Sequence, residues 1–116
     1  MTLFVPLLAP LFVLAAAPQE AGPQLSLEHR MLVRCSAAFA LVANGQANGQ
    51  EDALRYPDMS VRGEEFFVRA SAQVMEEAGL NRAQISAVLS AEAQDLWDNA
   101  AIDAVMPACL GLLPAE

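Results

Sequence analysis

Two cysteines, Cys35 and Cys109, stand near opposite ends of the part of this chain that can fold, and they limit its architecture more than any other feature. Nothing resembling CxxC or CxxCH surrounds either one, which removes thioredoxin-type redox chemistry and haem attachment. Two readings remain, a structural disulfide or two buried thiols, and the compartment decides between them because disulfides persist where the surroundings oxidise. A bond would close the loop from 35 to 109, bring the first element beside the last, and stabilise the fold by roughly 4 to 5 kcal/mol in the chain-entropy account.

The amino terminus points to such a compartment. Leu3 to Ala17 is a nearly unbroken apolar run that turns polar at Pro18-Gln19-Glu20. A membrane-spanning helix needs about 20 apolar residues, whereas this run is shorter and carries Pro6 and Pro10. Residues 1–17 therefore read as a cleaved signal peptide, and an uncleaved leader that anchors the chain in the membrane is the alternative. No lysine or arginine precedes the run, so either the true start lies upstream or the amino terminus alone supplies the positive charge. Ala15-Ala16-Ala17 offers small residues for cleavage, and Pro18 moves the expected cut slightly upstream. Cys35 is too far from the leader to be a lipoprotein cysteine. The expected product is a periplasmic protein with no membrane attachment once the leader is removed, in which Cys35 and Cys109 pair.

Beyond the leader the pattern is helical. Residues 18–25 form a polar, proline-bearing lead-in without periodicity, expected to be disordered, and 26–116 is expected to form one helical domain. Ser26 can cap a first helix in which Leu27, Met31, Leu32, Cys35, Ala38, Phe39 and Val42 recur at three- and four-residue steps. Asn44-Gly45 is expected to end it. Residues 44–60 contain Asn-Gly-Gln twice and then Tyr56-Pro57, which predicts a long, mobile loop in which Glu51 to Arg55 makes at most one helical turn. A second helix, capped by Ser60, runs from about Val61 to Ala78 with Phe66, Phe67, Ala70, Val74, Met75 and Ala78 inward. Gly79-Leu80 then forms a Schellman ending, and Asn81 with Gln84 a capping box that opens a third helix. So tight a connection predicts an antiparallel hairpin. Ile85, Val88, Leu89, Ala93, Leu96, Trp97 and Ala100 line the third helix, with Trp97 read as core and, with Tyr56, as an interface anchor in the alternative. The apolar spacing continues through Ile102 and Val105 until Pro107, where a kink or a fresh helix is expected near Met106. The fold expected is an all-α bundle of three to four helices with one disulfide.

The charge restricts the partners. The chain carries 14 acidic and 6 basic residues for a net charge of −8, and every basic residue is arginine. All of them lie beyond the leader, so the processed domain keeps the imbalance. Such a surface repels nucleic-acid phosphates and anionic headgroups and favours a basic partner or plain solubility.

Chemistry-bearing motifs are absent from the sequence. There is no HExxH, no His/Cys ligand cluster, no acidic calcium loop, no phosphate-cradling glycine loop and no GxSxG. The single histidine, His29, has no second histidine or free thiol with which to form a metal site or a nucleophilic pair, and reads as a solvent-facing helical residue. Glu64-Glu65 and Glu76-Glu77 are adjacent on helices and diverge by about 100°, so they read as solvated faces, with Glu65 four residues before Arg69 in the favourable order for an ion pair. No catalytic, metal or cofactor-binding residue is assigned, and no cofactor is expected. Arg30 and Arg34 lie one turn apart, where like charges repel unless a carboxylate or anion intervenes. With Arg62 and Arg69 on the second helix they are the candidate interaction patch, the alternative being that they pair with the domain's own acids.

Arg62-Gly63-Glu64-Glu65-Phe66-Phe67-Val68-Arg69, together with Arg34-Cys35 and Val105-Met106-Pro107-Ala108-Cys109-Leu110, resembles short exported all-helical proteins of Gram-negative bacteria to which no activity is assigned. The resemblance implies a periplasmic setting and no reaction. A more distant likeness, without residue-by-residue match, is to small periplasmic acid-stress chaperones. The reading that follows is a non-enzymatic periplasmic protein acting by binding another protein, with its acidic surface and the 44–60 loop as the expected contact and no oligomeric state implied. The alternatives are an immunity or inhibitor-type protein against a basic toxin or enzyme, and an acid-stress chaperone.

Overall fold

The computed structural model describes residues 25–115, so the expected signal peptide at 1–17 and nearly all of the lead-in at 18–25 lie outside the described residues. Five helices follow in order: α1 (Leu27–Ala47), α2 (Glu51–Leu54), α3 (Arg62–Ala78), α4 (Arg82–Asp98) and α5 (Ile102–Leu110), with no strand among the described residues. The fold is all-α, as the periodicity predicts, with α2 and α5 as the two short members.

Helix α1 is the axis. It packs against each of the other four helices, while α3 and α4 pack chiefly on α1 and much less on each other. The tight turn between them therefore produces two helices laid on a third, not a self-packed hairpin. This position explains why Cys35 to Phe39 is a run of five consecutive buried residues: α1 is covered on several sides and not on one stripe alone. In its first turns Leu27 and Met31, assigned to the inward stripe by spacing, are exposed, whereas Val33 is buried. One core gathers Phe39, Val42, Ala53, Met59, Leu96, Met106 and the two cysteines. A smaller one joins Val33 to Val74, Leu80 and Ile85 at the α3–α4 turn. Phe66 packs edge-on against Phe39, ring centroids 5.1 Å apart and planes at 82°.

The disulfide is present: Cys35 and Cys109 are bonded, with Cα atoms 5.2 Å apart across a sequence separation of 74. Both residues are buried, which marks the bond as structural.

The local end signals behave as their chemistry dictates in three places. Ser26 Oγ accepts from the His29 amide at 3.0 Å. Gly79 is left-handed at φ 68°, and the Leu80 amide reaches back to the Met75 carbonyl at 3.0 Å. Asn81 and Gln84 exchange both capping-box bonds, at 2.8 and 2.9 Å. At the start of α3 the structure differs: Val61, not Ser60, is the cap residue, and it offers no side-chain bond.

Three further departures have physical causes. First, α1 runs through Asn44-Gly45 to Ala47, and the second Asn-Gly makes the turn instead, with Gly49 at φ +69°. Gly45 lets α2 lie against α1: a Cβ there would stand 2.7 Å from the Ala53 Cβ and 2.9 Å from Gln50 Oε1.

Second, the 48–61 connection is organised around one side chain. The two Nε2 protons of Gln46 are shared among the carbonyls of Ala53 (3.0 Å), Tyr56 (3.2 Å) and Pro57 (2.8 Å), and its Oε1 accepts from the Met59 amide at 2.9 Å. Backbone groups of a turn that has no ladder are thereby satisfied. Met59, fully buried, plugs the segment into the main core.

Third, the break expected near Met106 falls earlier, between α4 and α5. Ala100 is left-handed at φ 48°. The Ala101 amide bonds the Leu96 carbonyl at 2.9 Å and the Ala100 amide the Trp97 carbonyl at 3.2 Å, which is a Schellman ending with alanine where glycine is usual. Pro107 lies inside α5. It and Asp103, whose carbonyl loses its partner, are both exposed, so water can take the missing bond.

Candidate functional site

The four arginines singled out by sequence do not share one surface role. Arg34 Nη1 donates to Glu92 Oε2 at 3.0 Å and to Asp95 Oδ2 at 3.1 Å, fastening α1 to α4. The Asp95 hydrogen bond, with Glu92 adding to it against the opposing effect of burial, raises the guanidinium above its ordinary value. The carboxylates that compensate Arg34 thus come from α4, and Arg30 is exposed. Arg62 Nη2 donates to the Pro114 carbonyl at 2.6 Å and holds the chain end against α3. Arg62 and Arg69 line a hollow of about 410 Å³ together with Leu32, Phe66 and Leu112. Arg62 and Arg69 are therefore brought together there, and Arg34 is turned to the opposite flank of α1.

On that α3 side, His29 is shielded, its side chain 14% exposed, and it meets Glu77 at 3.3 Å. It is not the solvent-facing residue expected. Glu77 lies below the usual carboxylate range, first because Gln73 donates to it and then because of His29. The remaining acids of the two adjacent pairs, Glu64, Glu65 and Glu76, are exposed.

The feature that sequence reasoning missed is on α4. Trp97, expected in the core, is 65% exposed, while its neighbour Leu96 takes the core position with no exposure. One residue on a helix is about 100° of rotation, so both cannot face α1. Trp97 stands at the edge of a groove of about 360 Å³ between the C-terminal half of α1, α2 and the α4–α5 junction. Leu41, Val42, Ala53 and Leu96 give the groove apolar walls, and Asp52 and Asp103 lie on its rim. Three local choices build it. Gly45 lets α2 approach α1, Gln46 pins the chain that follows α2, and the left-handed Ala100 turns α5 so that Ile102 and Asp103 face α2.

The rim carries a small charge network. Tyr56 Oη donates to Asp103 Oδ1, and burial first, then this bond to a carboxylate, raises the phenol above its ordinary value. Arg55 Nη2 stands 3.5 Å from Asp103 Oδ2 and 3.6 Å from Asp52 Oδ1. All three of these charged groups are well exposed, so the contacts are loose and water-screened.

The described residues contain no group of three or more His, Cys, Asp or Glu side chains placed to hold a metal ion. No helix among them is long and apolar enough to cross a membrane. Comparison with protein-family models, with curated proteins and with solved structures returns no match, so the functional argument rests on the geometry. What that geometry can do is bind: an exposed indole beside an apolar hollow, bordered by carboxylates, is a surface for a side chain or chain segment of another molecule.

Proposed function

We propose that this chain is a small periplasmic, non-enzymatic protein that works by binding another protein, and that the groove beside Trp97 is where it makes contact. The observation that carries the proposal is Trp97 itself, a tryptophan left 65% exposed at the mouth of an apolar groove. An indole is among the side chains that contribute most when an interface covers them. Covering the exposed part here stabilises a complex by about 2 to 4 kcal/mol, whereas in the free domain that surface gains nothing. The buried disulfide supports the compartment, since such a bond is maintained where the surroundings oxidise.

A second reading follows from charge. With a net charge of −8 and carboxylates on the groove rim, the favoured partner is basic, which fits an inhibitor or immunity-type role against a cationic toxin or enzyme.

The test uses the full chain expressed in a Gram-negative host, with a photo-crosslinking residue at Gln50 in the groove or, as control, at exposed Ala87 on α4. Fractionation should place the protein in the periplasm with both thiols blocked. Crosslinked partner is expected from position 50, not from 87, and is expected to vanish in Trp97→Ala. Equal capture at both positions, retention in the cytoplasm, or free thiols in native material would refute the proposal.

A further inference from the structure

The rim of the groove contains its own cation. Arg55 reaches from the end of α2 to both rim carboxylates, at 3.5 and 3.6 Å from Asp103 and Asp52, and it remains 63% exposed while doing so. These distances exceed those of a charge-assisted hydrogen bond, about 2.7–2.9 Å, so the guanidinium is near both carboxylates but tightly fixed by neither. Asp103 meanwhile is bonded to the Tyr56 phenol, so one acceptor of the rim is held in place independently of Arg55.

Resting on the proposed function above, we infer that Arg55 is a stand-in for a basic side chain of the partner, which displaces it from Asp52 and Asp103 when an adjoining apolar side chain enters the groove beside Trp97. The occupant is thus a protein segment carrying arginine or lysine next to an aliphatic residue. Complementarity supports this choice: the walls are apolar, the rim is acidic, and the exposed indole offers a face to a guanidinium. The displaced Arg55 swings into water, where an exposed arginine is at home. Arg55 therefore opposes binding by competition and confers selectivity, because a neutral segment cannot release it.

The prediction has a sign opposite to the usual outcome of deleting a charged residue from a binding site. The probe is a synthetic peptide of alternating arginine and leucine, titrated against the oxidised full chain with Trp97, the only tryptophan in the chain, as fluorophore. Arg55→Gln should bind it about three- to five-fold more tightly than wild type, the range expected on removing two exposed, competing contacts. Arg55→Lys should match wild type. Arg82→Gln makes the same change in net charge from the far end of α4, 15 residues and about 22 Å from Trp97, well beyond the screening length of about 8 Å, and should change affinity less than about 1.5-fold. Asp103→Asn should weaken binding. If wild type binds but Arg55→Gln gains no more than Arg82→Gln, the competitor role is wrong and the binding groove stands. If none of the folded proteins binds the peptide, both are wrong.

Discussion

Replacing Gln46 tests whether one side chain holds the groove's outer wall. Its two Nε2 protons are shared among three backbone carbonyls and its Oε1 accepts from the Met59 amide, the equivalent of three hydrogen bonds to the chain between Ala53 and Met59. A typical internal hydrogen bond contributes about 1 kcal/mol net, so Gln46→Leu, of similar volume, should lose about 3 kcal/mol. A domain of this length has roughly 5–13 kcal/mol in total. Gln46→Glu separates bonding from shape. Its carboxylate still accepts from the Met59 amide but sets negative oxygen where Nε2 now donates, 2.8 Å from the Pro57 carbonyl. At pH 7 it should therefore be less stable than Gln46→Leu by at least about 1 kcal/mol, each further clash of acceptors costing about as much as a lost bond. Below about pH 4.5 the glutamate protonates and regains a donor, so the gap between the two variants should close. Urea unfolding followed by circular dichroism across that pH range measures both quantities, and amide exchange reads the Met59 N–H, which should be protected in Gln46→Glu and open in Gln46→Leu. A loss below 1 kcal/mol in Gln46→Leu, or a Gln46→Glu variant more stable than Gln46→Leu at pH 7, would refute the assignment.

Other expectations follow from the same structure. Ala100→Gly should stabilise the domain by about 0.5–1 kcal/mol, because glycine relieves the left-handed backbone at φ 48° against a smaller entropic cost; an unchanged or lower urea midpoint would contradict it. Gly45→Ala should destabilise by about 1–2 kcal/mol despite better helix propensity, since its methyl would lie 2.7 Å from that of Ala53; a gain in stability would mean that α2 does not rest on α1. Replacing both cysteines by serine should remove up to about 4.5 kcal/mol, the loop-entropy value for a separation of 74, and a thermal midpoint close to that of the oxidised protein would count against it. Asp58, bonded by the Ser60 amide, and Glu77, bonded by Gln73 and His29, both sit below their ordinary values. The folded state therefore binds fewer protons than the unfolded one in acid, so their contribution is complete above about pH 5 and drains as pH falls through the folded values. Urea midpoints from pH 6 to 2.5 should fall, less steeply in Glu77→Gln, and an apolar dye added across the same series reads whether the acid-stress chaperone alternative has a basis.

The parts of this fold legible in the sequence are those decided by chemistry within a few residues. Ser26, Gly79-Leu80 and the Asn81–Gln84 box mark their helix ends because a hydroxyl, a missing Cβ and a paired amide act locally. The pairing of Cys35 with Cys109 was legible because the chain has only these two. The groove was not, since each of its makers depends on a neighbour distant in sequence. Gly45 and Gly49 sit in identical Asn-Gly-Gln contexts, yet the first lies inside α1 under Ala53 and the second makes the left-handed turn. Ala100 has no local signature of a left-handed residue; the turn is set by what α5 must reach, including Cys109. Trp97 lies at an acceptable core spacing, and it is the burial of Leu96 one position earlier that leaves it outside. Gln46 looked like an ordinary polar residue because nothing within one helical turn reveals four distant backbone partners.

Joining the first helix to the fifth also governs how the protein matures. The second sulfur is made 74 positions after the first, so closure waits until α5 has been made. With no third thiol in the chain, an incorrect internal bond has no partner to form with. Forming the bond therefore calls for oxidation alone and no reshuffling within the chain, and a misstep that remains is a bridge to a different polypeptide.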